Sequence, residues 1–197
     1  MSAGAHIDPS ADVSADAVVG EGTRVWGLAQ VRERARICVG CVVGRGAYVD
    51  AGVVVGDHVK VQNNALLYAP AVVEDGAFVG PAAVLTNDQH PRAVAPDGHP
   101  KSSGDWTPVG VRVGAGASIG AAAVCVAPVN VGRWALVAAG AVVVRDVPDN
   151  ALVAGNPARQ VGWVGPAGHR LEQHADHLVC PETGARFKVV GETLESA

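Results

Sequence analysis

Aromatic side chains are scarce in this chain, since Phe, Tyr and Trp together supply only 4% of its 197 residues. A globular core of that size normally uses more of them, so the shortage argues against an ordinary mixed core. Hydrophobic residues nevertheless make up 49% of the chain, and glycine occurs 25 times. This composition is typical of a solenoid, whose core is built from stacked aliphatic side chains.

Basic runs and long apolar runs are also missing. The formal net charge is −4, so we expect neither nucleic acid nor an anionic membrane as a partner. Met1 leads into polar sequence without an apolar leader, and we expect a cytoplasmic protein. In that compartment the four cysteines indicate no disulfide framework. Cys38 and Cys41 form a C-x-x-C, but no second pair completes a zinc site, and a small buried residue is the favoured reading of Cys41.

A period of six residues dominates the first half of the chain. In a strand, every sixth side chain returns to the same face, whereas a helix would scatter these positions around its circumference. The position two residues before each aliphatic is small or apolar and uncharged, as expected for a second inward column. Short strands meeting at regular corners predict a parallel β-helix with three flat faces and coils about 4.8 Å apart. The aliphatic series is Ile7, Val13, Val19, Val25, Val31, Ile37, Val43, Val49, Val55, Val61, Leu67, Val73, Val79 and Leu85.

The period is interrupted once, by residues 86–106, which read TNDQHPRAVAPDGHPKSSGDW. The ladder is predicted to resume at Thr107 in a shifted register and to run to Val143, giving about seven coils in all. A long excursion from a regular solenoid is usually functional. We predict a β-helix domain over residues 1–163. Residues 164–197 are predicted to form an extension with a small hairpin that caps the open end.

Several local motifs carry a resemblance to a known family. They are Arg24-Val25-Trp26, Val61-Gln62-Asn63-Asn64 with Tyr68, Phe78-Val79-Gly80-Pro81, Leu85-Thr86-Asn87 with Pro91-Arg92, and Gly155-Asn156-Pro157-Ala158-Arg159 with Gly162-Trp163. Together they resemble the hexapeptide-repeat acyltransferases, in particular the N-acetyltransferases that act on the 3-amino group of nucleotide-linked sugars in polysaccharide biosynthesis. The resemblance covers about residues 5–165.

This resemblance implies a left-handed β-helix, acetyl-coenzyme A as co-substrate, no metal, and a homotrimer with active sites between subunits. It implies a substrate similar to UDP-2-acetamido-3-amino-2,3-dideoxyglucuronate. A dTDP-linked 3-amino-3,6-dideoxyhexose is the alternative, because enzymes acting on such sugars share many of the same motifs.

Acetyl transfer to an amine needs an unprotonated nitrogen, a place for the oxyanion and an acceptor for the proton. We predict that the Asn87 amide holds the amine or the proton-bearing intermediate, and that His90 is the general base. Asp88 or His99 are alternative bases, and a route without a base, in which the departing thiolate takes the proton, stays open. The predicted substrate-binding residues are Trp26, Asn63, Asn64, Tyr68, Asp88 and Arg92. The predicted coenzyme-binding residues are Gly120, Ala138, Gly140, Arg145 and Arg159.

Two rival functions share the predicted fold. A hexapeptide-repeat O-acetyltransferase would usually require a loop histidine, for which His90 is available. A zinc enzyme of the γ-carbonic anhydrase type would need three histidines that meet across a subunit interface. The available histidines are His6, His58, His90 and His99, and their spacing does not resemble that family's.

Overall fold

The computed structural model describes residues 4–191 and 193–197. Within these ranges the chain forms short strands joined by turns and no helix, and consequently no segment there is a candidate for a membrane-crossing helix. Most strands are two residues long and stack into three parallel sheets, which we call faces A, B and C. His6 lies beside Arg24 and Ile7 beside Val25, so three hexads complete one coil, as predicted.

The strands of each face follow one another up the prism. Face A contains β1 (His6–Ile7), β4 (Arg24–Val25), β7 (Val42–Val43), β10 (Lys60–Val61), β13 (Phe78–Val79), β16 (Ser118–Ile119), β19 (Leu136–Val137) and β21 (Ala151–Ala154). Face B contains β2 (Asp12–Val13), β5 (Gln30–Val31), β8 (Tyr48–Val49), β11 (Leu66–Leu67), β14 (Val84–Leu85), β17 (Val124–Cys125) and β20 (Val142–Val143). Face C contains β3 (Val18–Val19), β6 (Arg36–Ile37), β9 (Val54–Val55), β12 (Val72–Val73), β15 (Val111–Val113) and β18 (Val129–Val131).

The core is a continuous column of the aliphatic and small residues that the six-residue period predicted. From Val25 to Leu85 the aliphatic positions are at most 1% exposed, and the small residues between them are equally buried. Thr23 joins the small column because its hydroxyl donates to the Cys38 carbonyl oxygen (2.7 Å) and accepts from the Cys41 N–H (2.9 Å). Burial raises the pKa of the Cys125 thiol to about 12, as expected for a cysteine in this column.

The ladder resumes at Val111 rather than at Thr107, which corrects the predicted boundary. Thr107 is exposed and irregular, whereas Val113 pairs with Val73 of β12. Pro108 has no N–H to donate to a ladder, and this delays the first strand of face C. We call residues 86–110 the flap.

The flap contains a hairpin of its own. Val94 and Pro100 form an antiparallel bridge. The Ala95 N–H donates to the His99 carbonyl oxygen, and the Lys101 N–H donates to the Ala93 carbonyl oxygen, each at 2.9 Å. The excursion is therefore a folded element with a fixed shape, which a polar sequence without periodicity does not predict.

The last coil is followed by antiparallel structure. β22 (Arg159–Trp163) turns back along β21, and a four-stranded sheet contains β23 (Glu172–His174), β24 (His177–Val179), β25 (Arg186–Val190) and β26 (Thr193–Ser196). The predicted hairpin is confirmed by the pairing of β24 with β25. Leu171, Leu178, Cys180 and Phe187 form a small separate core, and Trp163 packs against both this core and the prism. The domain boundary at residue 163 stays a prediction.

Face B differs from the other faces in its outward side chains. Between β5 and β20 those side chains are uncharged and half-buried, whereas face A carries Arg24 and Lys60, and face C carries Arg36 and Arg112. The outward side chains of face B are Gln30, Tyr48, Leu66, Val84, Val124 and Val142.

Candidate functional site

The predicted site residues lie mainly on two edges of the prism. The AB corner, where the chain passes from face A to face B, carries Trp26, Asn63, Asn64, Gly120, Ala138 and Gly140. The BC corner, where it passes from face B to face C, carries Tyr68, Asn87 and Arg145, and the flap with Asp88, His90 and Arg92 projects from it. Face B separates the two edges within one chain. The single chain therefore does not bring all the predicted residues together.

The AB corner offers unused backbone donors near the C-terminal end. Lower down, the Asn63 side-chain oxygen accepts the Arg45 N–H at 2.9 Å and closes that corner. In the upper coils the N–H groups of Ala121 and Ala139 have no partner among the described residues. Gly140, at φ 70°, has no atom within 4 Å of where a Cβ would stand, so the surface there is open.

The reason for a glycine at position 120 differs from the predicted one. A Cβ at this position would lie 2.7 Å from the Ala138 carbonyl carbon, so the next coil of the same chain already excludes a side chain. The residue was predicted to be small to admit the coenzyme. The structure shows that coil stacking alone demands glycine there, while the coenzyme assignment itself stays a prediction.

Below the flap, the BC corner carries a polar network that the sequence analysis missed. Arg32 makes a two-pronged ion pair with Glu33 (2.9 and 3.0 Å) and donates to the Tyr48 hydroxyl at 3.3 Å. That hydroxyl donates to Asp50 Oδ1 at 2.8 Å. The ring of Tyr48 lies 5.4 Å from that of Tyr68, between centroids. Hydrogen bonds thus hold Tyr48 in place beside Tyr68, on the edge that leads up to Asn87.

The titration of this network follows from its contacts. Partial burial works to raise the pKa of the Asp50 carboxyl, but hydrogen bonds from the N–H groups of Ala69 and Ala51 and from the Tyr48 hydroxyl bring the pKa below its usual value. The pKa of the Tyr48 hydroxyl is raised, mainly by burial and secondly by the neighbouring Asp50 carboxylate. Tyr48 therefore stays protonated and Asp50 ionised at neutral pH.

Asn87 lies at the base of the flap. Its carbonyl oxygen accepts the Val109 N–H at 3.0 Å, which closes the flap at its root. The preceding Thr86 hydroxyl accepts the Ala127 N–H at 2.9 Å. The Asn87 side chain is half-buried and makes no hydrogen bond within the described part of the chain. Its amide is consequently available to a ligand.

The flap folds over a cleft of about 390 Å³, which we call the flap cleft. His90 and Asp88 line it together, and the His90 N–H donates to Asp88 Oδ1 at 2.8 Å. Arg92 is exposed and donates to the Pro91 carbonyl oxygen at 2.9 Å. The remaining polar or aromatic lining comes from Gln89, Lys101, Asp105, Trp106 and Thr107.

The two predicted phosphate-binding arginines line one cleft at the C-terminal end of the prism. The cleft measures about 180 Å³ and contains both Arg145 and Arg159. Neither guanidinium pairs with a carboxylate among the described residues. The nearby Asp146 is engaged instead by the N–H and side chain of Asn130, at 2.7 and 3.1 Å. Two guanidinium groups without a carboxylate partner among the described residues therefore line one cleft, and Arg159 Nη1 donates to the Ala158 carbonyl oxygen at 2.9 Å.

The histidines required by the zinc rival lie on different elements. His6 is on face A, His58 is on the corner between faces C and A, and His90 and His99 are on the flap. Among residues 4–191 and 193–197, no group of three or more His, Cys, Asp or Glu is arranged to hold a metal.

Parts of this chain are similar to known acyltransferases. Residues 35–69 and 110–145 match the hexapeptide repeat of succinyl-transferase. A dTDP-3-amino-3,6-dideoxy-α-D-galactopyranose 3-N-acetyltransferase from Aneurinibacillus thermoaerophilus is 48% identical over 73 residues, which are 37% of this chain and 38% of that protein. Serine acetyltransferase 4 from Arabidopsis thaliana is 28% identical over 144 residues, which are 72% of this chain and 31% of that protein. The chain thus spans only 38% of the first relative's length and 31% of the second's.

A solved structure supports the fold. LpxA, a UDP-N-acetylglucosamine acyltransferase from Bacteroides fragilis, superposes with a TM-score of 0.66 at 13% identity, over 81% of this chain and 61% of that one. The predicted left-handed parallel β-helix is confirmed.

Proposed function

We propose that this chain is a hexapeptide-repeat acyltransferase that transfers the acetyl group of acetyl-coenzyme A to the 3-amino group of a nucleotide-linked amino sugar. The observation that carries the proposal is the 48% identity to a dTDP-linked 3-amino-sugar 3-N-acetyltransferase. The UDP-linked 3-amino glucuronate suggested by the sequence motifs stays a candidate beside the dTDP-linked sugar.

The coenzyme would lie along the AB corner in the upper coils. Its pantetheine arm contains two amides, which need hydrogen-bond donors and a surface without large side chains. The free N–H groups of Ala121 and Ala139 and the open surface at Gly140 offer both. The unpaired Arg145 and Arg159 would hold phosphates at the C-terminal end.

The reaction needs little from the protein beyond position and charge. The sugar amine attacks the thioester carbonyl, so a carbon–nitrogen bond forms, the carbon–sulfur bond breaks, and the amine proton leaves. We assign the Asn87 amide to hold the amine or the tetrahedral intermediate. His90, on the same flap, would accept the proton, and without a base the departing thiolate accepts it.

We also propose that three copies assemble with face B toward the threefold axis. Its uncharged stripe, including Leu66, Val84, Val124 and Val142, is the apolar surface that the other two faces lack. In that arrangement the two corners bounding face B each meet a neighbour, so the AB corner of one chain lies beside the BC corner of the next. The two separated halves of the predicted site would then share one groove.

The test is an acetylation panel. The protein is incubated with acetyl-coenzyme A and UDP- or dTDP-linked 3-amino sugars, and the released thiol is measured. We expect release with at least one 3-amino sugar and none with its 3-hydroxy analogue. The similarity to serine acetyltransferase favours O-acetylation as a second candidate, so serine and 3-hydroxy sugars are included. Thiol release with these acceptors alone would replace the N-acetyltransferase by the second candidate.

A further inference from the structure

The geometry points to the flap cleft as the site that holds the pyranose ring of the acceptor sugar, with Trp106 as its platform and Asp105 and Lys101 as its polar contacts. This inference rests on the proposed function, because it names where the acceptor of that reaction binds. None of these three residues belongs to the predicted substrate-binding set.

Asp105 is held with one oxygen available. Its Oδ2 accepts both the N–H and the hydroxyl of Ser102, each at 2.7 Å. These bonds lower the pKa of the Asp105 carboxyl, so it stays ionised at neutral pH. Oδ1 lies 4.0 Å from His99 Nε2, beyond hydrogen-bonding distance. A carboxylate fixed in this way can accept from a hydroxyl without first reorganising.

Lys101 and Trp106 supply a donor and a flat apolar surface. The Lys101 backbone is pinned by its bond to Ala93 in the flap hairpin, and its half-buried side chain pairs with no carboxylate in the described ranges. The indole of Trp106 is also half-buried. A pyranose ring presents C–H groups on its faces and hydroxyls around its rim, so it matches an aromatic face bordered by one acceptor and one donor.

The position of the cleft selects the sugar ring over the nucleobase. Asp88 and His90 line the same cleft as Trp106, and they follow Asn87 by one and three residues. The ring that carries the reacting amine must lie within reach of Asn87. The nucleobase is separated from that ring by a ribose and a diphosphate, so it would lie elsewhere along the groove.

The volume of the cleft is consistent with this assignment. Ligand sites in proteins typically measure about 300–1,000 Å³, and the flap cleft, at about 390 Å³, falls at the lower end. It can hold one hexose ring, but not a complete nucleotide sugar. The remainder of the substrate would extend along the BC corner.

The test compares Trp106→Ala, Asp105→Asn and Lys101→Met with two matched controls. Trp134→Ala removes another indole, 42% exposed, on the corner between faces C and A, and Asp97→Asn removes another carboxylate from the flap hairpin. We expect each cleft variant to raise the KM for the amino sugar about tenfold or more, since one or more contacts to the bound ring are lost. The KM for acetyl-coenzyme A and both control variants should stay at wild-type values.

A fluorescence titration gives an answer even if Trp106→Ala fails to fold. Trp26 is also a predicted substrate contact, so the Trp106 signal is the part of the quenching that is lost in Trp106→Phe. Amino-sugar nucleotide should quench the wild-type protein and Trp134→Phe more strongly than Trp106→Phe, whereas UDP or dTDP alone should quench the wild type and Trp106→Phe equally. Unchanged KM values in all cleft variants, or quenching of Trp106 by the bare nucleotide, would overturn the sugar site while leaving the proposed function in place. If the wild type acetylates no sugar of the panel, the proposed function fails and the inference fails with it.

Discussion

Asn87 combines a fixed backbone with a side-chain amide that is available to a ligand. Its backbone is fixed by the bond from Val109, yet its half-buried side-chain amide has no partner within the described residues. Asn87 and Arg145 occupy equivalent positions on the BC corner, and Asn87 lies two coils below Arg145. Two coils separate their backbones by about 10 Å. A bound coenzyme anchored at Arg145 can therefore extend toward the Asn87 amide.

We expect Asn87→Ala to reduce kcat about 100-fold or more, because it removes a donor aimed at the reacting centre, while the oligomer stays intact by light scattering. Gln173→Ala in the C-terminal sheet, whose amide donates to the Ala175 carbonyl oxygen, is the matched control and should stay active. If His90 is the general base, His90→Ala loses activity by a similar factor. Near-full activity of His90→Ala would remove that assignment and favour proton transfer to the thiolate.

Individual site residues were predicted where a local motif or a lone charge marked them. Arg145 and Arg159, which both follow the last predicted hexad, line the same cleft. The network of Arg32, Tyr48 and Asp50 could not be predicted in the same way. It forms because outward-facing side chains of successive coils contact each other. One signal in the sequence did point to this network. The chain has only two tyrosines, and both lie near this corner.

At the scale of the elements, the six-residue period determines nearly everything about the prism. Burial alternates along each short strand, and a slip by one residue would turn the whole aliphatic column outward. The flap obeys no such constraint. Its hairpin depends on the turn chemistry of the Pro96-Asp97-Gly98 segment, and its end depends on Pro108. For this reason the predicted return at Thr107 fell short of Val111.

Coil stacking makes a testable demand on the glycines that follow the aliphatic positions. A Cβ at Gly80 would lie 2.7 Å from the backbone of Gly120 and Ala121, whereas a Cβ at Gly52 meets nothing within 4 Å. Gly52 has a φ of 71°, but Arg34 adopts a φ of 59° at the equivalent position one coil below. We expect Gly80→Ala to lower the free energy of unfolding by about 3 kcal/mol and Gly52→Ala by about 1 kcal/mol. Denaturant midpoints measured at equal protein concentration test this order, and equal midpoints would contradict it.

At the scale of the whole molecule, the arrangement of the faces decides where the active site can form. The AB corner offers free donors and an open surface, the BC corner offers the flap and Asn87, and face B lies between them. Only an assembly with face B inward places one corner of each kind side by side. If the proposed trimer forms in this way, each site draws its coenzyme groove and its catalytic flap from different chains.

Subunit complementation tests this arrangement. Asn87→Ala disables the flap side, and Ala138→Trp blocks the coenzyme side, so each homotrimer should be inactive. When equal amounts are unfolded and refolded together, about a quarter of the interfaces pair an intact AB corner with an intact BC corner, because chains mix at random. We therefore expect about a quarter of wild-type thiol release from the mixture.

Two controls make this result specific. Mixing the intact homotrimers without unfolding should restore nothing, since no chains exchange. Val124→Lys, which introduces a charge on the outward stripe of face B, should yield monomers by light scattering and lose activity without losing the strand signal in circular dichroism. An inactive refolded mixture would place both halves of the site within one chain, and an active monomeric Val124→Lys protein would lead to the same conclusion.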